Sequence, residues 1–319
     1  MDEIVQISGD FIEKNTNYQE LIAKLKYGFA SADVIVPQRH HHDFPNPKTG
    51  KDSTMLLMPA WYSGQDAGVK VVSVSPENHQ FDLPAVQGSY IYMDAITGTV
   101  KAILEAKSLT TKRTAAASAL ASSFLSLKDA ASLLMIGTGA LSTNLIKAHA
   151  AVRPITEVFV WGRNFEKAKA ITRELNGEAF RVSAIETIEE KISEVAIISC
   201  ATLAYEPLVL GQYLKPGQHI DLVGAYKKDM READDDTIRK TSVFLDSYAG
   251  GLIESGDIVI PIQKGILSKE AIKADLFELC SGKQNGRTSE EEITLFKSVG
   301  HALEDLVAAQ YYFQNYQNA

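Results

Sequence analysis

The sequence predicts an α/β protein: a doubly wound parallel sheet in its second half, and an antiparallel sheet with a helix in its first. Three observations predict it. After Asp129, five continuous apolar runs, SLLMIG, EVFVWGR, VAIISCA, HIDLVG and VFLDS, alternate with helical patterns, as strands buried on both faces do. From about 33 to 105, short β-rich runs are punctuated by Pro and Gly. Between the halves lies TTKRTAAASALASSFL, residues 110–125, a helix whose Ala and Ser content permits close backbone approach.

In chain order, residues 16–30 read as a helix, with Tyr18, Leu21, Ile22, Leu25 and Phe29 at helical spacing. DVIVP, TMLLMPA, VKVVSVS, SYIYMDA and TVKAILE follow as strands, and Ile96-Thr97-Gly98 marks a hairpin between the last two. The end, TSEEEITLFKSVGHALEDLVAAQYY, opens with Ser289 and Glu292 spaced as a capping box. Ile293, Phe296, Val299, Leu303 and Leu306 continue at helical spacing, which predicts one long helix packing back on the first half. Glu290 to Glu292 are then first-turn charges matching the helix dipole.

The 319 residues are 45% hydrophobic and 23% charged, with a formal net charge of −8, so a sizeable core is available. Lys and Arg are scattered, which argues against nucleic acid or an anionic membrane surface and for a small-molecule partner. The start, MDEIVQISGDF, lacks the basic-then-apolar order of a secretory signal, and no apolar run approaches the roughly 18 residues of a membrane span. Cys200 and Cys280 are too few for a disulfide scaffold and have no metal-ligand spacing. The expected compartment is the cytoplasm. No metal is expected either, because adjacent His40, His41 and His42 on an extended segment point in opposite directions. They read as a loop.

Within LLMIGTGALSTNLI, residues 133–146, Gly137-Thr138-Gly139 follows a strand and opens a helix, with Ser142 where a dinucleotide fingerprint puts its third glycine. Gly137 would make the turn, Gly139 would admit the pyrophosphate, and Ser142 is small enough for close packing. Helix amides from Ala140 and Leu141 onward would face the anion. GxG alone equally fits a plain turn; the strand EVFVWGR at βαβ distance favours a cofactor. At the end of that strand stand Trp161, Gly162, Arg163 and Asn164, with no carboxylate to grip a ribose 2′-hydroxyl. Arg163 can pair with a 2′-phosphate, so NADPH is preferred with NADH possible, although a surface arginine is the alternative. Ala201, Thr202 and Gly224 end the next two strands, where the nicotinamide would lie.

Arg39, Lys70 and Arg113 each read, taken alone, as surface cations. A wider pattern joins them. VPQRHHH (36–42), MPA (58–60), GVKVVSVSPEN (68–78), DAITGTVKAIL (94–104), LTTKRTAAASALAS (109–122), MIGTGA (135–140), VFVWGR (158–163), PLVLGQYLKPGQHIDLVGA (207–225), MREADD (230–235) and ITLFKSVGHALEDL (293–306) together resemble the ornithine cyclodeaminase and mu-crystallin family. The resemblance implies a Rossmann domain, residues 126–299, inserted in a substrate-binding and dimerisation domain, residues 1–125 completed by 300–319, in a homodimer. It implies that Arg39, Lys70 and Arg113 hold the α-carboxylate of an amino or imino acid.

The sequence departs from the cyclodeaminases in VGAYKKDMREADD, where Tyr226 stands in place of their carboxylate two residues after the glycine. That loop is similar to those of the family's ketimine reductases, whose protonated cyclic imine needs hydride and positioning more than acid–base groups. The resemblance therefore implies NADPH-preferring reduction of Δ1-pyrroline-2-carboxylate to L-proline, and of Δ1-piperideine-2-carboxylate to L-pipecolate. Lys70, Tyr226 and Asp305 are the candidate catalytic residues. Two alternatives stay open: a cyclodeaminase or alanine-type amino-acid dehydrogenase, and a crystallin-like protein that holds NADPH with little turnover.

Overall fold

The computed structural model describes residues 4–31 and 33–319. The chain divides into two compact units: one runs to Arg113 and resumes at Ala302–Ala319, and the other is Thr114–His301. The second is thus an insertion in the sequence of the first.

The first unit is built on a seven-stranded sheet of β1 (Val5–Ile7), β2 (Val34–Ile35), β3 (His40–Phe44), β4 (Ser53–Tyr62), β5 (Asp66–Val74), β6 (Val86–Asp94) and β7 (Val100–Glu105). Its order is β1-β7-β6-β5-β4-β2, with β3 also paired to β4. Every pair is antiparallel except β1 with β7, which departs from the antiparallel expectation at one edge. The β6–β7 hairpin turns as expected: Asp94 Oδ1 accepts from the amides of Ile96 and Thr97 at 3.0 and 2.9 Å, and Gly98 adopts φ 73°. His40 to His42 lie in β3, an exposed strand rather than a loop. Helices α1 (Gly9–Lys14) and α2 (Tyr18–Ala30) belong to this unit, and α3 (Ala106–Leu125) begins in it.

The inserted unit carries β8 (Ser132–Ile136), β9 (Glu157–Trp161), β10 (Arg181–Ala184), β11 (Ile197–Cys200), β12 (His219–Leu222), β13 (Ser242–Leu245), β14 (Ala274–Asp275) and β15 (Thr294–Lys297). All are parallel, in the order β10-β9-β8-β11-β12-β15-β13-β14. The order reverses direction between β8 and β11, the switch point at which doubly wound sheets bind ligands. Helices α4 (Ser142–Val152), α5 (Phe165–Glu174), α6 (Asp235–Lys240), α7 (Tyr248–Gly251), α8 (Gly256–Gln263) and α9 (Leu276–Ser281) connect these strands.

The predicted terminal helix is corrected here. Residues 294–297 form β15 in the middle of the sheet, and the helix, α10, is only Ala302–Gln317. Ile293, Phe296 and Val299 therefore lie outside it, and Glu290 to Glu292 precede a strand. Ser289 Oγ does accept from the Glu292 amide at 3.1 Å, but in a turn that no helix continues. The misreading has a cause: a four-residue strand buried on both faces has no period of two, and its apolar spacing mimics a helix. Gly300, at φ 83°, separates the two elements.

In the first unit α10 packs on β4, β5 and β6, and α2 packs on α10. Gly28 permits that approach, since a Cβ there would lie 2.8 Å from Val307. Thr16 and Tyr312 hydroxyls meet at 2.8 Å beside it. Strand alternation then sets which side chains meet α10. On β5, Asp66, Gly68, Lys70 and Val72 are buried, while Ala67, Val69 and Val71 are half-buried on the other face.

Candidate active site

Lys70 sits on the buried face of the first sheet, in a cross-strand row with Met58, Tyr90 and Leu104. A lone ammonium there would be costly, and α10 supplies its partner. Asp305 approaches Lys70 Nζ at 3.0 Å through Oδ1 and 2.8 Å through Oδ2. Arg113, from α3, donates Nε to Asp305 Oδ1 at 2.9 Å and Nη1 to Glu304 Oε2 at 2.6 Å. Both carboxylate side chains are 0% exposed, and those of Lys70 and Arg113 are 4% and 6% exposed.

The cluster sets its own protonation. Burial pushes the Lys70 ammonium down to about 8, with Asp305 opposing and Arg113 and Arg39 reinforcing. Burial would raise the Asp305 carboxyl, but Arg113 and Lys70 outweigh it and hold it below the carboxylate range. Burial likewise opposes the Arg113 guanidinium, which Asp305 and Glu304 hold in its charged form. Asp305 is thus held as an anion between two cations. Formal charges of Lys70, Arg113, Glu304 and Asp305 cancel, and half-buried Arg39 adds a positive one. Tyr90 completes the floor, buried with no hydrogen-bond partner for its hydroxyl.

The inserted unit holds a second constellation, made mostly of backbone. Gly137 adopts φ 124°, and a Cβ there would lie 2.6 Å from Ala201 O, so the turn after β8 admits only glycine. Gly139 is the opposite case: a Cβ would meet nothing within 4 Å, leaving the space a pyrophosphate needs. Ser142 takes the third glycine's place by donating its hydroxyl to Gly137 O at 2.9 Å. α4 starts at Ser142, two residues beyond Ala140, and Leu141 at its N-cap gives no side-chain cap. The Ser142 amide turns back to Gly139 O at 3.1 Å, and no side chain covers this helix start, whereas that of α5 is capped by Asn164.

The rest of this edge is equally close. Trp161 O accepts from the Gly137 amide at 2.8 Å, and Gly162 packs beneath Thr138, where a Cβ would lie 2.5 Å from the threonine methyl. Arg163 is exposed at the end of β9. At the ends of β11 and β12, Gly224 lies so near Thr202 that a Cβ would fall 2.0 Å from Thr202 O. A nicotinamide dinucleotide fits these features.

The structure brings together Lys70, Arg113 and Asp305, with Arg39 near enough for its charge to act on Lys70. It gathers Gly137 to Leu141, Trp161, Arg163, Asn164, Ala201, Thr202 and Gly224 at the carboxyl edge of one sheet. Tyr226 belongs to the loop after β12, 45% exposed, with Lys227 Nζ 5.7 Å from its ring centroid. Sequence reasoning missed Glu304 and Tyr90, and in the inserted unit the buried Glu232, Asp257 and Lys297. Lys297 Nζ lies 3.0 Å from Asp257 and 3.6 Å from Glu232, with all three side chains buried. The available signals were an acid pair inside apolar ALEDLVAA and a lysine closing the run ITLFK.

The sheet order, the glycine turn and the buried ion cluster define a Rossmann-type protein with a separate, cation-bearing unit. The model of the ornithine cyclodeaminase/mu-crystallin family matches residues 4–319, and the chain belongs to that family. It is 36% identical over 308 residues to a Delta(1)-pyrroline-2-carboxylate reductase of Colwellia psychrerythraea, covering 95% of this chain and 96% of that one. The solved Delta(1)-pyrroline-2-carboxylate reductase of Thermococcus litoralis, in complex with NADH and L-proline, is similar at TM-score 0.91 and 33% identity, covering 99% and 98%. An archaeal alanine dehydrogenase dimer with bound NAD is similar at TM-score 0.90 and 25% identity, covering 99% and 97%.

Proposed function

We propose that this protein is an NAD(P)H-dependent oxidoreductase acting on C=N bonds, reducing Δ1-pyrroline-2-carboxylate to L-proline and, by the same chemistry, Δ1-piperideine-2-carboxylate to L-pipecolate. The observation that carries it is the buried Lys70–Asp305–Arg113–Glu304 cluster, which presents fixed cations without offering an acid for substrate deamination. Asp305 and Glu304 orient Lys70 and Arg113; with Arg39, these bind the imino-acid carboxylate and fix its plane. A reduced nicotinamide, held by the turn at Gly137–Leu141 and the ends of β11 and β12, would supply hydride for the imine carbon, and the C=N electron pair would go to a nitrogen that already carries its proton. Lys70 stays protonated below about 8 and keeps its charge on the carboxylate through the reaction. Tyr226 leaves no carboxylate at the position two residues after Gly224, and Asp229, three residues further on, could serve an open-chain amine only if the loop were rearranged, which favours the reductase over the cyclodeaminase.

NADPH is the proposed preferred cofactor, with NADH accepted, supported by exposed Arg163 and the absence of a carboxylate at residues 161–164. A homodimer is proposed as well. Pro59, Val69, Ile91 and Ile103 form a half-buried apolar row across four strands, on the face opposite α10. A second copy would cover it, as the dimeric state named for the alanine dehydrogenase suggests. The test is initial-rate cofactor oxidation with Δ1-pyrroline-2-carboxylate, comparing NADPH with NADH, against L-ornithine plus NAD. Rapid NADPH consumption with proline as product is expected. Ammonia release from ornithine with no imine reduction would overturn the reading, and silence in both would favour a binding protein.

A further inference from the structure

We propose that Glu232 is a positioning residue for the nicotinamide end of the dinucleotide, acting through the backbone of Thr202, Gly224 and Ala225; this rests on the cofactor reading above. Glu232 is 0% exposed and its carboxylate spans two strand ends. Oε1 accepts from the Thr202 amide at 2.7 Å and the Thr202 hydroxyl at 2.9 Å. Oε2 accepts from the amides of Gly224 at 2.8 Å and Ala225 at 3.1 Å. One side chain thereby ties the residues following β11 to those following β12, past the switch point, where the nicotinamide half of a dinucleotide lies.

The tie is itself held from behind. Asp257 Oδ1 accepts from the amides of Glu232 and Ala233 at 2.8 and 3.1 Å, and Lys297 stands between the two acids. Ser255 donates its hydroxyl to Ala225 O at 2.6 Å. The Glu232 carboxylate bonds to Thr202, Gly224 and Ala225 and not to the glycine turn at 137–139 or the end of β9, which would bind the pyrophosphate and adenosine side; only the Thr202 methyl packs near Gly137. The effect of Glu232 should therefore fall mainly on one end of the ligand.

The experiment measures the affinities of NADPH and of 2′-phospho-ADP-ribose, the same molecule without nicotinamide, by calorimetry. Glu232→Asp keeps the charge opposite Lys297 but is one methylene too short to hold both strand ends. It should weaken NADPH about tenfold and leave 2′-phospho-ADP-ribose within about twofold. Thr202→Val, which removes only the hydroxyl donated to Oε1, should do the same at about threefold and carries the test if Glu232→Asp does not fold. Equal weakening of both ligands, or of neither, would overturn the positioning role while leaving the cofactor reading intact. Wild-type protein that binds neither ligand would instead remove the cofactor reading, and this inference with it.

Discussion

The two constellations are built of different materials. In the first unit, recognition is assigned to side chains: Lys70, Arg113, Glu304 and Asp305 come from a strand and two helices and are held by one another's charges. In the inserted unit it is assigned to backbone: a glycine at φ 124°, another with open space where a Cβ would go, and an uncapped helix start. A side-chain site fails when one partner is lost, because the remaining charges stay buried and unpaired. A backbone site fails when atoms are added.

Removing a charge should give the largest effect. Lys70→Met should lower kcat/KM for the imine by about 10²–10³-fold while the NADPH dissociation constant moves less than about twofold. Steady-state rates with parallel cofactor titration check this, and an unchanged rate would take Lys70 out of the site. Adding a carbon tests the other material. Gly139→Ala should weaken dinucleotide binding by about tenfold with unchanged thermal stability, whereas Gly137→Ala should cost about 1–3 kcal/mol of stability through its left-handed backbone and the Ala201 contact. Denaturant unfolding beside cofactor titration separates the two.

Arg163→Ala sharpens the contrast, since it is a side-chain contribution to a backbone site. It should raise the KM for NADPH by about tenfold and leave that for NADH nearly unchanged. Equal effects on both cofactors would count against a 2′-phosphate contact. The smallest effect is a pH limb. With the Lys70 ammonium at about 8, the charged form prevails below that value and is lost above it. kcat/KM should therefore fall about fourfold from pH 7 to 8.5, and Lys70→Arg should remove that limb. A fall already complete by pH 7 would contradict the assignment.

The same difference in material decided what the sequence could reveal. The glycine turn is local: strand, Gly137, Gly139 and helix stand within one stretch, so their roles follow from spacing. Lys70, Arg113 and Asp305 are separated by most of the chain, and each alone reads as an ordinary surface charge. Only the resemblance to a family joined Lys70 and Arg113, with Arg39, in advance, and Asp305 stood apart as a candidate catalytic carboxylate. Glu304 stayed hidden because an acid on a helix is normally solvated, and here its helix is buried nearly all round from Ala302 to Ala309. β15 was lost for the complementary reason, a strand too short and too buried to show its period. Glu232 lies in an irregular segment between β12 and α6, where neither periodicity nor capping speaks, and Asp257 stands in the first turn of α8, where an acid ordinarily reads as a solvated match to the helix dipole.

The split of the first unit around the second has a consequence for how the protein is made. On the ribosome, Lys70 and Arg113 emerge long before Glu304 and Asp305, which wait for the whole of Thr114–His301 to be synthesised. At ordinary elongation rates that interval is roughly 10–40 s. Through it the nascent sheet has neither its covering helix nor the anions that neutralise its interior cations, while the inserted unit already has the sequence of its own core. The segment that closes the cation pocket, Ala302–Ala319, is made only after the whole inserted unit.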